Sequence, residues 1–156
     1  MHFRERLDKV LEWFLVVLMS LLVIDVLWQV TSRYVLINPS SFTTELAGYL
    51  MIWTGILGAG YVAGKNEHLA IDLLVQKSSP RRRKRLLILI NLLIIAFSIF
   101  VMVVGGSWLV YTRFLLDVRS ADLQMPLGYV YLVVPVSGLI ITYYGIDNIK
   151  MFIRQK

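Results

Sequence analysis

Asp25, Gln29 and Arg33 recur at four-residue intervals, a spacing that puts all three on one face of a helix. Asp25 lies within an apolar stretch, where a charged group is costly and often functional. A carboxylate in that place can bind an ion or carry a proton. The plainer reading is a polar stripe facing a partner helix, with Gln29 and Arg33 neutralising the carboxylate. It is preferred because Asp25 has those candidate partners on its own helix and lies off centre. His68 and Asp72 repeat the same interval, but two ligands at one spacing are too few to specify a metal site. They are read as facing solvent or lipid headgroups. Glu45 stands where a helix begins, a place where the helix dipole favours a carboxylate, so it needs no further role. Asn91 suits an interhelical hydrogen bond, and Asp147 a boundary position beside Lys150.

Other chemistries lack their residues. The chain has no cysteine, and its two histidines, His2 and His68, lie outside the apolar stretches. A haem held between membrane helices commonly needs an axial histidine there. No Ser/His/Asp set, paired carboxylates or phosphate loop is present. The expectation is therefore no catalytic, cofactor or metal site, and no enzymatic role.

The elements that position these residues follow from hydropathy. Hydrophobic residues make up 58% of the 156, and mean hydropathy is +0.70. A soluble fold of this size buries too little of its chain to hide so much apolar surface. A bilayer accounts for the excess. A spanning helix needs roughly 20 apolar residues, and four segments qualify, at about 10–34, 45–64, 86–112 and 123–146. The third contains 27 residues without a charge, more than a perpendicular crossing needs, so it tilts or extends beyond the membrane. Continuous apolar runs exclude a barrel, whose strands alternate. The first segment has a basic start but no small-residue cleavage site, since Trp28, Gln29, Thr31 and Arg33 follow, so it is retained as a helix. The fold class is all-α integral membrane, one domain over 1–156.

Basic residues orient the bundle. The amino-terminal tail, the middle loop and the carboxyl-terminal tail hold 13 of the 16 Lys and Arg. Cytoplasmic loops are enriched in these residues, which puts both termini inside. Arg81, Arg82, Arg83, Lys84 and Arg85 then anchor the chain against phospholipid headgroups. The run adjoins a span and has no interleaved aromatics, so nucleic acid is excluded as its partner. Residues 67–77 place His68, Asp72 and Gln76 on one face and apolar residues on the rest, the pattern of a short amphipathic helix lying in the interface. Trp13, Trp28, Trp108, Tyr34, Tyr111 and Tyr129 mark span ends, and Trp53 packs inside. Pro135 kinks the fourth helix. The second span carries Gly60 and Gly64 on one stripe and Gly55, Ala59 and Ala63 on another; such stripes let helix backbones approach closely.

Ser41-Phe42-Thr43-Thr44-Glu45-Leu46, Trp53-Thr54-Gly55-Ile56-Leu57-Gly58-Ala59-Gly60 and His68-Leu69-Ala70-Ile71-Asp72 together resemble the small membrane subunit of tripartite ATP-independent periplasmic (TRAP) transporters. Leu123-Gln124-Met125-Pro126 and Pro135-Val136-Ser137-Gly138 are similar to that family's fourth helix. The resemblance implies a non-catalytic subunit of the bacterial inner membrane, in a sodium-driven importer of organic anions such as C4-dicarboxylates or sialic acid. It implies two protein partners: a large membrane subunit that carries transport, and a periplasmic substrate-binding protein. On that footing Asp25, Gln29, Arg33, Gly55, Ala59, Gly60, Ala63 and Gly64 are the expected contacts of the large subunit. Arg113, Asp117, Arg119 and Asp122, on the outer loops, are the expected docking charges for the binding protein. Two alternatives compete: a homodimeric proton-coupled exporter using Asp25, and a membrane anchor for a redox complex.

Overall fold

A computed structural model describes residues 2–38, 40–65 and 80–154. The chain forms four helical crossings, and among the described residues there is no strand, only an isolated bridge between Arg119 and Pro126. The first is α1, His2–Tyr34, and the second α2, Ser41–Lys65. The third runs from α3, Pro80–Phe97, through a π-helical segment, Ser98–Gly105, into α4, Gly106–Leu115. The fourth comprises the short α5, Leu127–Tyr131, and α6, Val133–Arg154. All four are long and apolar enough to cross a membrane. The segment 67–77, expected as an interfacial helix, lies outside the described residues.

Local chemistry sets the boundaries. Ser40 precedes α2 and its hydroxyl lies 2.8 Å from Thr43 Oγ1, which also donates to the Ser40 carbonyl. Helix α3 opens on Pro80, a residue whose fixed φ and missing N–H suit the first helical position. The third crossing, Arg82–Leu115, holds 34 residues, about 50 Å at ~1.5 Å per residue. That exceeds a ~30 Å hydrocarbon core, as the long apolar run foretold. The fourth crossing begins at Leu127, later than residue 123. Ahead of it the chain folds into a tight turn, closed by Ser120 N–H to the Met125 carbonyl at 2.9 Å and Leu127 N–H to the Val118 carbonyl at 2.9 Å.

Pro135 acts upstream of its own position. It offers no N–H to the carbonyl of Tyr131, four residues back, and the helix breaks there: α5 ends at Tyr131 and α6 begins at Val133. At this break the Trp53 indole donates to the Val130 carbonyl at 3.0 Å. The π-helical segment faces the same region of α6. Ser98 Oγ donates to the Gly138 carbonyl at 2.6 Å, and a Cβ at Gly138 would lie only 2.8 Å from Met102 Cβ. The core gathers Leu11, Leu18, Leu57, Val133 and Tyr144. Helix α6 is its hub, packing against α2, α3 and the π segment, whereas the backbone of α1 lies close to α2 alone among the described helices.

Candidate partner-binding surfaces

Helix α1 runs antiparallel to α2. Gln29 Nε2 donates to Thr44 Oγ1 at 2.7 Å and the Tyr61 hydroxyl to Glu12 Oε1 at 2.6 Å, two contacts in one register. Asp25 is buried, and its Oδ2 has no hydrogen-bond partner among the described residues. Arg33 instead lies over the ring of Tyr34, 5.6 Å from its centroid. The neutralisation expected from Gln29 and Arg33 is therefore not made at that oxygen. The opposite face of α1 is open. Trp13, Val16, Val23, Leu27, Val30 and Tyr34 are each at least 50% exposed, and with Ser20 they alternate at three- and four-residue steps. That is the spacing of a seam that accepts a neighbouring helix.

The small residues of α2 divide between two surfaces. Gly60 and Gly64 are turned inward: a Cβ at Gly60 would lie 3.0 Å from Ser137 Oγ, and one at Gly64 2.8 Å from Tyr144 Cζ. Beside them Ser137 Oγ donates to the Ile56 carbonyl at 2.8 Å, so the helices touch backbone to side chain. Ala63 is also buried. Gly55 and Ala59 are exposed, and among the described residues nothing lies within 4 Å of a Cβ placed at Gly55. Of the stripes expected to meet another chain, Gly60 and Gly64 are thus engaged by α6, leaving Gly55 and Ala59 open.

At the end of the bundle where α2 begins, Glu45 organises the turn before α5. Its carboxylate accepts from the backbone N–H groups of Ala121, Asp122 and Leu123 at 3.0, 3.0 and 2.9 Å, and from the Tyr49 hydroxyl at 2.7 Å. Three successive N–H groups make a small anion-binding concavity, and charge-assisted bonds of this kind are the strong ones. Sequence reasoning assigned Glu45 only to the helix dipole. Its real partners are backbone groups some 76 residues away, which no side-chain pattern announces. Of the docking charges, Asp117 and Arg119 pair with one another at 3.1 Å while staying exposed, and Asp122 is exposed. Arg113 is only half-exposed, with its guanidinium 5.8 Å from the Tyr131 ring centroid.

The opposite end of the bundle has its own clasp, which the sequence did not single out. Arg4 donates to Asp147 Oδ2 at 2.6 Å, to Asn148 Oδ1 at 3.1 Å and to the carbonyl of Gly64. It also lies over Tyr144, whose hydroxyl donates to Asp8. Asp147, expected beside Lys150, is thereby held by α1. The Gly64 carbonyl belongs to the last turn of α2, where carbonyls lack helical partners and a cation is favoured. Of the basic run, Arg82, Arg83 and Arg85 are exposed, and Lys84 Nζ donates to the Ile153 carbonyl at 3.3 Å. His68 and Asp72 lie outside the described residues, as does the side chain of Arg81.

Four apolar crossings, an exposed apolar face on α1 and two polar clasps describe a membrane-spanning helical bundle. Over residues 22–155 the sequence matches the family model described as tripartite ATP-independent periplasmic transporters, DctQ component. The chain belongs to that family. It is also 26% identical over 138 residues to a Haemophilus influenzae protein named "Putative TRAP transporter small permease protein", an alignment covering 87% of this chain and 83% of that protein. As a DctQ-family chain it is a multi-pass small permease subunit, and the exporter and redox-anchor alternatives give way to that assignment.

Proposed function

We propose that the chain braces the large membrane subunit of a sodium-driven TRAP importer of organic anions, C4-dicarboxylates or sialic acid, and helps dock the periplasmic substrate-binding protein. Family membership supports the three-part assembly. The observation that carries the bracing role is the open face of α1. A helix whose backbone neighbours one other helix, with a seam of large apolar side chains on its free side, has a surface matched to a second membrane chain. Membrane helices associate through such packing, because lipid supplies no hydrophobic drive between them. Gln29 ties α1 to α2 through Thr44, and Asp25 and Arg33 lie on the same helix as further candidate contacts.

For docking, the Glu45 clasp holds the outer turn in one shape and so presents Asp117, Arg119 and Asp122 in fixed positions. Charges so arranged favour orientation and fast encounter. The basic-residue count supports an inner-membrane orientation with both termini cytoplasmic, which puts this turn in the periplasm. Co-purification from native membranes tests the reading: a large multi-span protein and a periplasmic binding protein are expected in the same complex. A chain that purifies stably with no large subunit would count against bracing. Charge reversal at Arg119 that leaves uptake and docking unchanged would count against the docking role.

A further inference from the structure

A cleft of about 540 Å³ opens between α2 and the third crossing, lined by Gly55, Ala59 and Ala63 on one side and Leu93, Phe97 and Met102 on the other. Among the described residues, no lining residue carries an ionisable or hydrogen-bonding side chain. The volume falls in the ~300–1,000 Å³ range of small-molecule sites. Along α2 the cleft runs from Gly55 to Ala63, about 12 Å at ~1.5 Å per residue. An apolar cleft of that length suits a hydrocarbon chain lying along the helices.

The charge beneath it indicates which hydrocarbon. Arg82, Arg83 and Arg85 project from the start of α3 and are exposed. From Arg85 to Leu93 the helix rises about 12 Å, within the ~15 Å that one leaflet of a ~30 Å core spans. Between them Leu89 and Leu92 offer a continuous exposed apolar track. We infer that the cleft is a binding site for one membrane phospholipid of anionic headgroup, its phosphate on Arg82, Arg83 and Arg85 and an acyl chain lying between α2 and the π-helical segment. The basic run then does more than orient the chain: it selects the lipid that seals the bundle's own gap. This does not depend on the bracing role, because every contact is made by this chain.

The test uses the chain in its native complex, reconstituted with phosphatidylglycerol carrying a photoreactive group in the acyl chain, and with phosphatidylcholine carrying the same group. Crosslinks are mapped by peptide mass spectrometry. The expected result is labelling concentrated on α2 and α3 residues of the cleft, stronger for phosphatidylglycerol, and lost in Ala59→Phe, which fills the space. Replacing Arg82, Arg83 and Arg85 with Gln, outside the packed core, should weaken the preference by roughly fivefold per charge removed. Labelling spread evenly around the bundle, or equal for both lipids and unaffected by the Gln variants, would overturn the proposal. So would crosslinks from the cleft to the large subunit in place of lipid. Loss of the large subunit on purification with cleft labelling intact would refute bracing and leave the lipid site standing.

Discussion

The fourth crossing and the first are built to opposite plans. In the most apolar stretch of the fourth, 39% of residues are buried, against 17% for the first. Glycines let the fourth crossing approach its neighbours closely: Cβ atoms at Gly128, Gly138 and Gly145 would lie 2.5, 2.8 and 2.6 Å from Phe114, Met102 and Ile95. Helix α1 has no glycine and turns large apolar side chains outward. The difference teaches that the bundle's own cohesion is concentrated on α6, while α1 is held mainly through α2 and by polar ties at its inner end.

Gly138→Leu should do the most damage, because backbone and Cβ atoms of the π segment occupy the space. Overpacking of this kind costs about 3 kcal/mol, to be read as a lower unfolding midpoint in detergent; an unchanged midpoint would dissolve the contrast between the helices. Arg4→Gln comes next. It removes the tie between α1 and α6 and leaves Asp147 without its partner, a loss of about 1–2 kcal/mol. Hydrogen exchange should quicken in the first turns of α1 and leave the middle of α6 unaffected. Glu45→Ala should release the outer turn, raising amide exchange at Ala121, Asp122 and Leu123 on the order of tenfold. Val23→Ala, on the open seam, should move the stability of the lone chain by no more than about 0.5 kcal/mol while lowering recovery of the large subunit.

The four crossings were legible because a bilayer imposes a minimum apolar length, and length is countable in a sequence. Helix α3 starts at Pro80, ahead of the apolar run at 86–112, because a count of apolar residues does not register the basic turn that opens it. The break at Leu132 was foreshadowed by Pro135, although its position is set by the carbonyl left unpaired four residues earlier. The π-helical segment has no such signature: Ser98–Gly105 reads as ordinary apolar helix, and its contact with Gly138 appears only once α6 is in place. The two clasps were hidden for another reason. Glu45 binds backbone N–H groups, which every sequence has everywhere, and Arg4 meets Asp147 across 143 positions of chain. Gly60 and Gly64 announced a close helix approach without saying that the approaching helix belongs to the same chain.

The central claim is that the seam of α1 meets the large subunit. With no cysteine in the chain, Val23→Cys introduces a single thiol that can carry a photoreactive maleimide in membranes holding the whole transporter. The account predicts a crosslink from position 23 to the large subunit, and none from Ala63→Cys, which lies on the cleft side of α2 and away from the seam. Crosslinking of position 23 to lipid alone, or to a second copy of this chain, would contradict it.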